Sequence, residues 1–111
     1  MLAHFKILLS DEVDKFLKEL DEKTREKIFY NIDKARQTLD PKLFKKLTIE
    51  IWEFRTRFQS KQYRLFAFWD KTDNKNTLVV TTHAFIKKTQ KTPKSEIEKA
   101  MAIREMYYKN R

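Results

Sequence analysis

The chain has 111 residues, a length suited to one domain, with 41% hydrophobic and 37% charged residues and a formal net charge of +9. It contains no cysteine and no glycine. That excludes disulfides, thiol nucleophiles, Cys-based zinc sites and the glycine-rich loops that cradle nucleotide phosphates. No apolar run reaches the roughly 20 residues of a membrane span, and the N-terminus lacks a basic region followed by a long apolar stretch, so no secretory signal is expected. A cytoplasmic location without membrane contact is the expectation.

Phe5, Ile7 and Leu9 alternate with Lys6 and Leu8, which predicts a first strand. Ser10 is suited to cap a helix whose apolar stripe is Val13, Phe16, Leu17 and Leu20. Asp21 caps a second helix with the stripe Ile28, Ile32, Ala35 and Leu39, Phe29 beside it, and Asp40-Pro41 at its end. With almost no loop between them, the two helices should form a hairpin. Strand patterns come next at 47–58, 62–70 and 77–86, joined by hairpins at 59–62 and 71–76. Without glycine, positive-φ turn positions should fall on Asn74 and Asn76. Thr92 and Pro93 read as N-cap and first position of a last helix, with Ile97, Ala100, Met101 and Arg104 on one stripe and its end near Tyr107 and Tyr108. The order β-α-α-β-β-β-α predicts a single α+β domain over residues 1–111: an N-terminal strand and helical hairpin, an antiparallel β-meander with helices on one sheet face, and a C-terminal helix.

The charge is unevenly spread. Residues 1–41 carry 8 Lys and Arg against 9 Asp and Glu, whereas residues 42–111 carry 17 against 7. The basic character therefore belongs to the strand block and the C-terminal segment beyond it, where an anionic partner would be met. Alternation puts Glu53, Arg55 and Arg57 on one face of their strand and Trp52, Phe54 and Phe58 on the other. Arg64 either joins that charged face, in which case Phe66 and Phe68 lie beside it as stacking surfaces, or pairs with Glu53 while both phenylalanines are core. The core assignment is favoured for Phe66 and Phe68, and a functional one for Arg64. His4 and His83 are the only histidines and have no ligand spacing between them, so no metal site is expected. The three serines fall at caps and turns. Catalysis would rest on Arg, Lys, His, Glu and Tyr with no cofactor.

The runs Ile51-Trp-Glu-Phe-Arg55, Gln62-Tyr-Arg-Leu-Phe-Ala-Phe-Trp69 and His83-Ala-Phe-Ile-Lys-Lys-Thr-Gln-Lys-Thr-Pro93, with the helical Glu96–Tyr107 segment, resemble the RelE/ParE toxin superfamily. The similarity is to its HigB-like, phage-derived branch and covers about Phe44 to Tyr107. The resemblance implies a RelE-like fold and the toxin of a type II toxin–antitoxin module. It implies a ribosome-dependent mRNA endonuclease partnered by an antitoxin, often of helix-turn-helix type. Arg64 then matches the arginine on the scissile phosphate, and Lys88, with Lys87 beside it, the basic residue after the last strand. Arg55 and Glu53 face the RNA, and Tyr107 or Tyr108 matches a C-terminal tyrosine. The lysine pair that RelE places on the second strand is absent, those positions reading Ile51 and Glu53. As a hypothesis, Arg55, Arg64 and Lys88 act on the phosphate with Glu53 or His83 as base, while Arg57, Lys87, Lys91, Lys94 and Tyr107 bind RNA. A bland reading of His83, as a packed strand residue, is favoured over the catalytic one. Two alternatives share these features: a ParE-like toxin that binds DNA gyrase, and a non-catalytic RNA-binding module.

Overall fold

The computed structural model describes residues 3–72 and 77–110. Asn74 and Asn76, where left-handed turns were expected, lie outside the described residues.

β1 (Lys6–Leu8) leads into α1 (Asp11–Lys18), whose N-cap Ser10 accepts from the Val13 amide. Ser10 also donates from its hydroxyl to the Thr82 carbonyl and from its amide to Thr81 Oγ1, which docks the start of α1 on the sheet. α2 (Glu22–Thr38) is capped by Asp21, which accepts from the Thr24 amide. Leu39 is not part of the buried stripe. It is the C-cap, in the left-handed region at φ 55°, half exposed. In a chain without glycine this position, usually Gly, is carried by leucine.

The strand expected over 47–58 begins only at Trp52, and a short strand that was not expected precedes it. β2 (Phe44–Lys46) and β3 (Trp52–Phe58) form a hairpin, and the intervening turn is closed by the Leu47 and Thr48 amides on the Ile51 carbonyl. Thr48 Oγ1 also accepts from the amides of Glu50 and Ile51. This side-chain bonding competes with the sheet ladder there. β4 (Lys61–Asp70) starts after Gln59 and Ser60, whose φ values of 50° and 68° give a two-residue hairpin turn. β5 (Leu78–Lys87) and α3 (Lys94–Lys109) complete the chain. Pro93 is the N-cap of α3 and not its first residue.

The sheet order is β1-β5-β4-β3-β2, antiparallel except for β1 on β5. Parallel neighbours need a long connection, and here the chain passes through α1, α2 and β2 to β4 between β1 and β5. Helices cover both faces, which corrects the expected one-sided packing. Val13, Leu17, Ile28 and Ile32 pack with Phe5, Phe44 and Phe54 on one face. On the other, Ala100 of α3 packs with Ile51, Phe66, Phe68 and Val80. Burying Phe66 and Phe68 beneath α3 contributes roughly 1.5–3 kcal/mol each. They are core, not stacking surfaces. Among the described residues no helix is long and apolar enough to cross a membrane.

Candidate nucleic-acid interface

α3 covers only part of its sheet face. Residues directly opposite in an antiparallel ladder share a face, so the register reads off what lies on the uncovered part. Arg55 faces Arg64, which faces Phe85; Arg57 faces Gln62, which faces Lys87; Lys45 faces Glu53. Arg55, Arg57, Arg64, Lys45 and Lys87 thus share this face with the Glu53 carboxylate, which is itself 3% exposed.

Arg64 is the fixed point of this surface. It is 3% exposed, and its Nε lies 2.9 Å from Glu53 Oε1. That contact is an ion pair without an aligned hydrogen bond. Its Nη2 donates to Gln62 Oε1 at 2.9 Å and its Nη1 to the Tyr63 carbonyl at 3.4 Å. Burial, and secondarily the neighbouring Arg55 charge, lower the Arg64 pKa, while Glu53 opposes the shift. Two arginines directly opposite on a ladder are destabilising on their own. Glu53 offsets part of that cost, and the surface retains an excess of positive charge.

A family model described as "Phage derived protein Gp49-like (DUF891)" matches residues 15–105. The chain belongs to this Gp49-like family. Among solved structures, a double arginine-to-alanine variant of the toxin RelE from E. coli in the free state matches with a TM-score of 0.60. It is 13% identical, and the match covers 91% of this chain and 97% of that one, a likeness of fold. The expected phage-derived family holds, and the expected RelE-like fold holds as a likeness of fold. No curated protein matches the sequence.

In this Gp49-like chain a β-bulge decides which lysine joins the arginines. Leu65 faces Ala84 and Ala67 faces Thr81, so Phe66 alone stands opposite both Thr82 and His83. The extra residue resets the alternation of β5. Simple alternation from Val80, which shares the α3-side core, would bring Lys88 to the arginine face. The bulge brings His83, Phe85 and Lys87 there instead, and sends Ala84 and Ile86 to the α1/α2 core. Desolvation, then repulsion from Arg64, Arg55 and Lys45, holds the Lys87 ammonium pKa below its ordinary value, with Glu53 opposing. Lys88 is exposed just past the strand, beside Lys61 in a neighbouring hollow.

The remaining expected residues are spread more widely. Arg57 is exposed at the free end of β3. Lys91 and Lys94 are exposed around the start of α3. His83 is 1% exposed beneath α3, with Nε2 3.1 Å from Glu96 Oε1 and Nδ1 3.2 Å from Thr82 Oγ1. Desolvation is the main cause of its lowered pKa. The ring stacks on Phe85 at 5.7 Å, and this geometry braces α3 against the sheet. Tyr107 donates to Asp70 Oδ2 at 2.6 Å, at the far end of β4. Six residues of strand separate Asp70 from Arg64, roughly 20 Å. Tyr108 likewise donates to the Trp69 carbonyl there, at 3.2 Å.

Three participants escape sequence reasoning. Lys45 lies on a strand too short to show a period. Gln62 reads as a turn residue but orients Arg64. Phe85, half-buried opposite Arg64, presents an aromatic ring at the border between the α3 core and the basic surface. The His83, Phe85, Lys87 spacing is the available signal for it.

Proposed function

We propose that this Gp49-like protein is the toxin of a type II toxin–antitoxin pair and cleaves mRNA on the ribosome without a metal ion. The observation that carries this reading is the Arg55–Arg64 cross-strand pair on an open sheet face, with Lys87 beside it. Guanidinium forks match phosphate oxygens, and a buried, prepositioned arginine needs no reorganisation when charge develops.

In the reaction, the substrate 2′-oxygen attacks the adjacent phosphorus and the bond from phosphorus to the 5′-oxygen breaks. This leaves a 2′,3′-cyclic phosphate and a free 5′-hydroxyl. Arg55 and Arg64 hold the phosphate oxygens. Glu53, the carboxylate of this group, accepts the 2′-hydroxyl proton. Lys87 donates a proton to the leaving 5′-oxygen, and its lowered pKa brings it closer to the range where an ammonium is an effective acid. Lys88 and Arg57 attract flanking phosphates, and Lys91 and Lys94 extend that attraction beyond β5. His83 and Tyr107 hold α3. The antitoxin, of helix-turn-helix type on the family resemblance, silences the toxin by occupying or distorting the basic face.

Induction of the chain alone in a bacterial host, with primer extension on abundant transcripts, tests this. Discrete in-frame cuts on translated messages, lost in Arg55→Ala, are expected. Growth arrest with intact transcripts would instead favour gyrase inhibition. No arrest and no cuts would leave only an RNA-binding module.

A further inference from the structure

The basic surface does not stop at the sheet. A groove of about 700 Å³ runs from Arg64, Arg55 and Arg57 over the side of β3 to α2. β2 pairs with β3 only through Phe54, so the strand beyond Arg55 has a free edge there. Asn31 fixes the helix against this edge. It is 7% exposed, and its Nδ2 donates to Thr56 Oγ1 at 3.1 Å. On the helix side Lys27, Tyr30 and Lys34 line the groove at i, i+3 and i+7, one ridge of α2, and Lys42 faces them from the turn before β2. The described lining contains no carboxylate. Residues 1–41 as a whole nevertheless carry a slight acidic excess, 9 acids to 8 bases. The lysines of α2 are concentrated where the arginines are, while Asp33 is turned to Arg36 and Gln37. Tyr30 is 59% exposed, and the Lys27 ammonium lies 5.2 Å from its ring centroid. An exposed ring flanked by cations along a groove suits an unpaired base between phosphates.

We propose that single-stranded RNA leaves the Arg55–Arg64 pair over the free edge of β3 and tracks α2, with Lys27, Lys34 and Lys42 on phosphates and Tyr30 beneath a base. This path rests on the phosphate-binding reading of Arg55 and Arg64 for its starting point. Lys27 and Lys34 stand about 10 Å apart along the helix axis, so they meet separate phosphates. The path runs opposite to the Lys88–Lys94 tail, which makes the two directions separable.

The test is titration of the full-length chain with uncleavable, fully 2′-O-methylated oligonucleotides of about 4 and about 12 units, at about 50 and 200 mM salt. For the longer oligonucleotide, Lys27→Ala/Lys34→Ala should lower the slope of log affinity against log salt by about 1.4, and Tyr30→Ala should weaken binding roughly tenfold. The shorter one, held at the arginine pair, should be bound equally by all variants. Circular dichroism of the variants should match the parent, because Tyr30 and Lys34 are exposed. Unchanged binding of the longer oligonucleotide by the α2 variants, or no binding by the parent, overturns the path. Failure of the nuclease reading looks different: α2-dependent binding persists while the parent cuts no translated message on the ribosome.

Discussion

One face of the sheet from β3 to β5 meets charged residues at both ends, but at the end under α3 the arginine and one glutamate come from α3 and the other glutamate from the turn before β3. In the covered half, Phe66 and Phe68 are fully buried, His83 meets Glu96, and Arg104 spreads over Phe68 and Tyr108 with its Nη2 2.9 Å from Glu50. These charges have partners from other elements, and their work is to hold a helix. In the open half, Glu53 has a surplus of cations around it, and Arg55 faces Arg64 on sheet that α3 does not cover. A folded protein tolerates such like-charge crowding where something else supplies the counter-charge. The same residue types are thus structural or functional according to whether an α-helix neutralises them.

Arg64 straddles the two halves, and its removal should have the largest effect. Arg64→Ala leaves Glu53 buried without its partner, which costs about 3–5 kcal/mol. Tm should fall by more than about 10 °C at this chain length. An Arg64→Ala variant therefore confounds loss of function with loss of fold. The paired change Glu53→Gln/Arg64→Gln should recover much of the lost Tm in a thermal melt but none of the cleavage. Equal Tm losses in the single and double variants would show that the pair is not the stabilising contact.

Arg55→Ala separates function from stability more cleanly, since Arg55 is only half-buried. Single-turnover cleavage should fall about 10²–10³-fold, with Tm changed by less than about 2 °C. A cleavage loss matched by an equal Tm loss would collapse the distinction between the two halves.

The pH profile sharpens the assignment of Lys87. As the acid, Lys87 works protonated, so the rate should decline as pH rises through its lowered pKa, below the ordinary 10.5. Lys45→Ala removes one of the charges that lower that pKa, so the declining limb should move to higher pH. A limb that stays in place would remove Lys87 from the proton transfer.

The covered half should respond in stability alone. Tyr107→Phe loses the hydrogen bond to Asp70, a cost of about 1.5–3 kcal/mol for a bond to a charged group, with cleavage unchanged. Reduced RNA cleavage at unchanged stability would return Tyr107 to the RNA-binding set. His83 gives the smallest signal. Its folded pKa is depressed, so the unfolded chain takes up the proton first as pH falls below the ordinary 6.5. Its contribution is complete above that value and is lost as pH drops towards the folded pKa. His83→Gln should flatten this part of the stability curve measured by denaturant titration.

Much of this architecture is legible in the chain itself. The caps at Ser10 and Asp21, the helical hairpin, the three long strand segments and the location of α3 come from local rules: a short polar side chain before a helix, a stripe every three or four residues, alternation along strands. The charged face of β3 is also readable, because Glu53, Arg55 and Arg57 share one parity within one strand. Three features are not. β2 is three residues long and shows no period. The bulge at Thr82 and His83 has no residue signature, and it puts Lys87 rather than Lys88 on the arginine face. The site for α3 depends on which sheet face remains after α1 and α2 have docked.

The sequence by itself determined the elements, their order and the excess of cations after residue 41, because these depend on neighbours a few positions apart. Only the tertiary structure decided which cations meet. Ladder register, one extra residue in β5 and the partial cover of α3 are set by contacts between residues far apart in the chain, and they leave Arg55, Arg64 and Lys87 together on open sheet while burying His83, Phe66 and Phe68 beneath a helix.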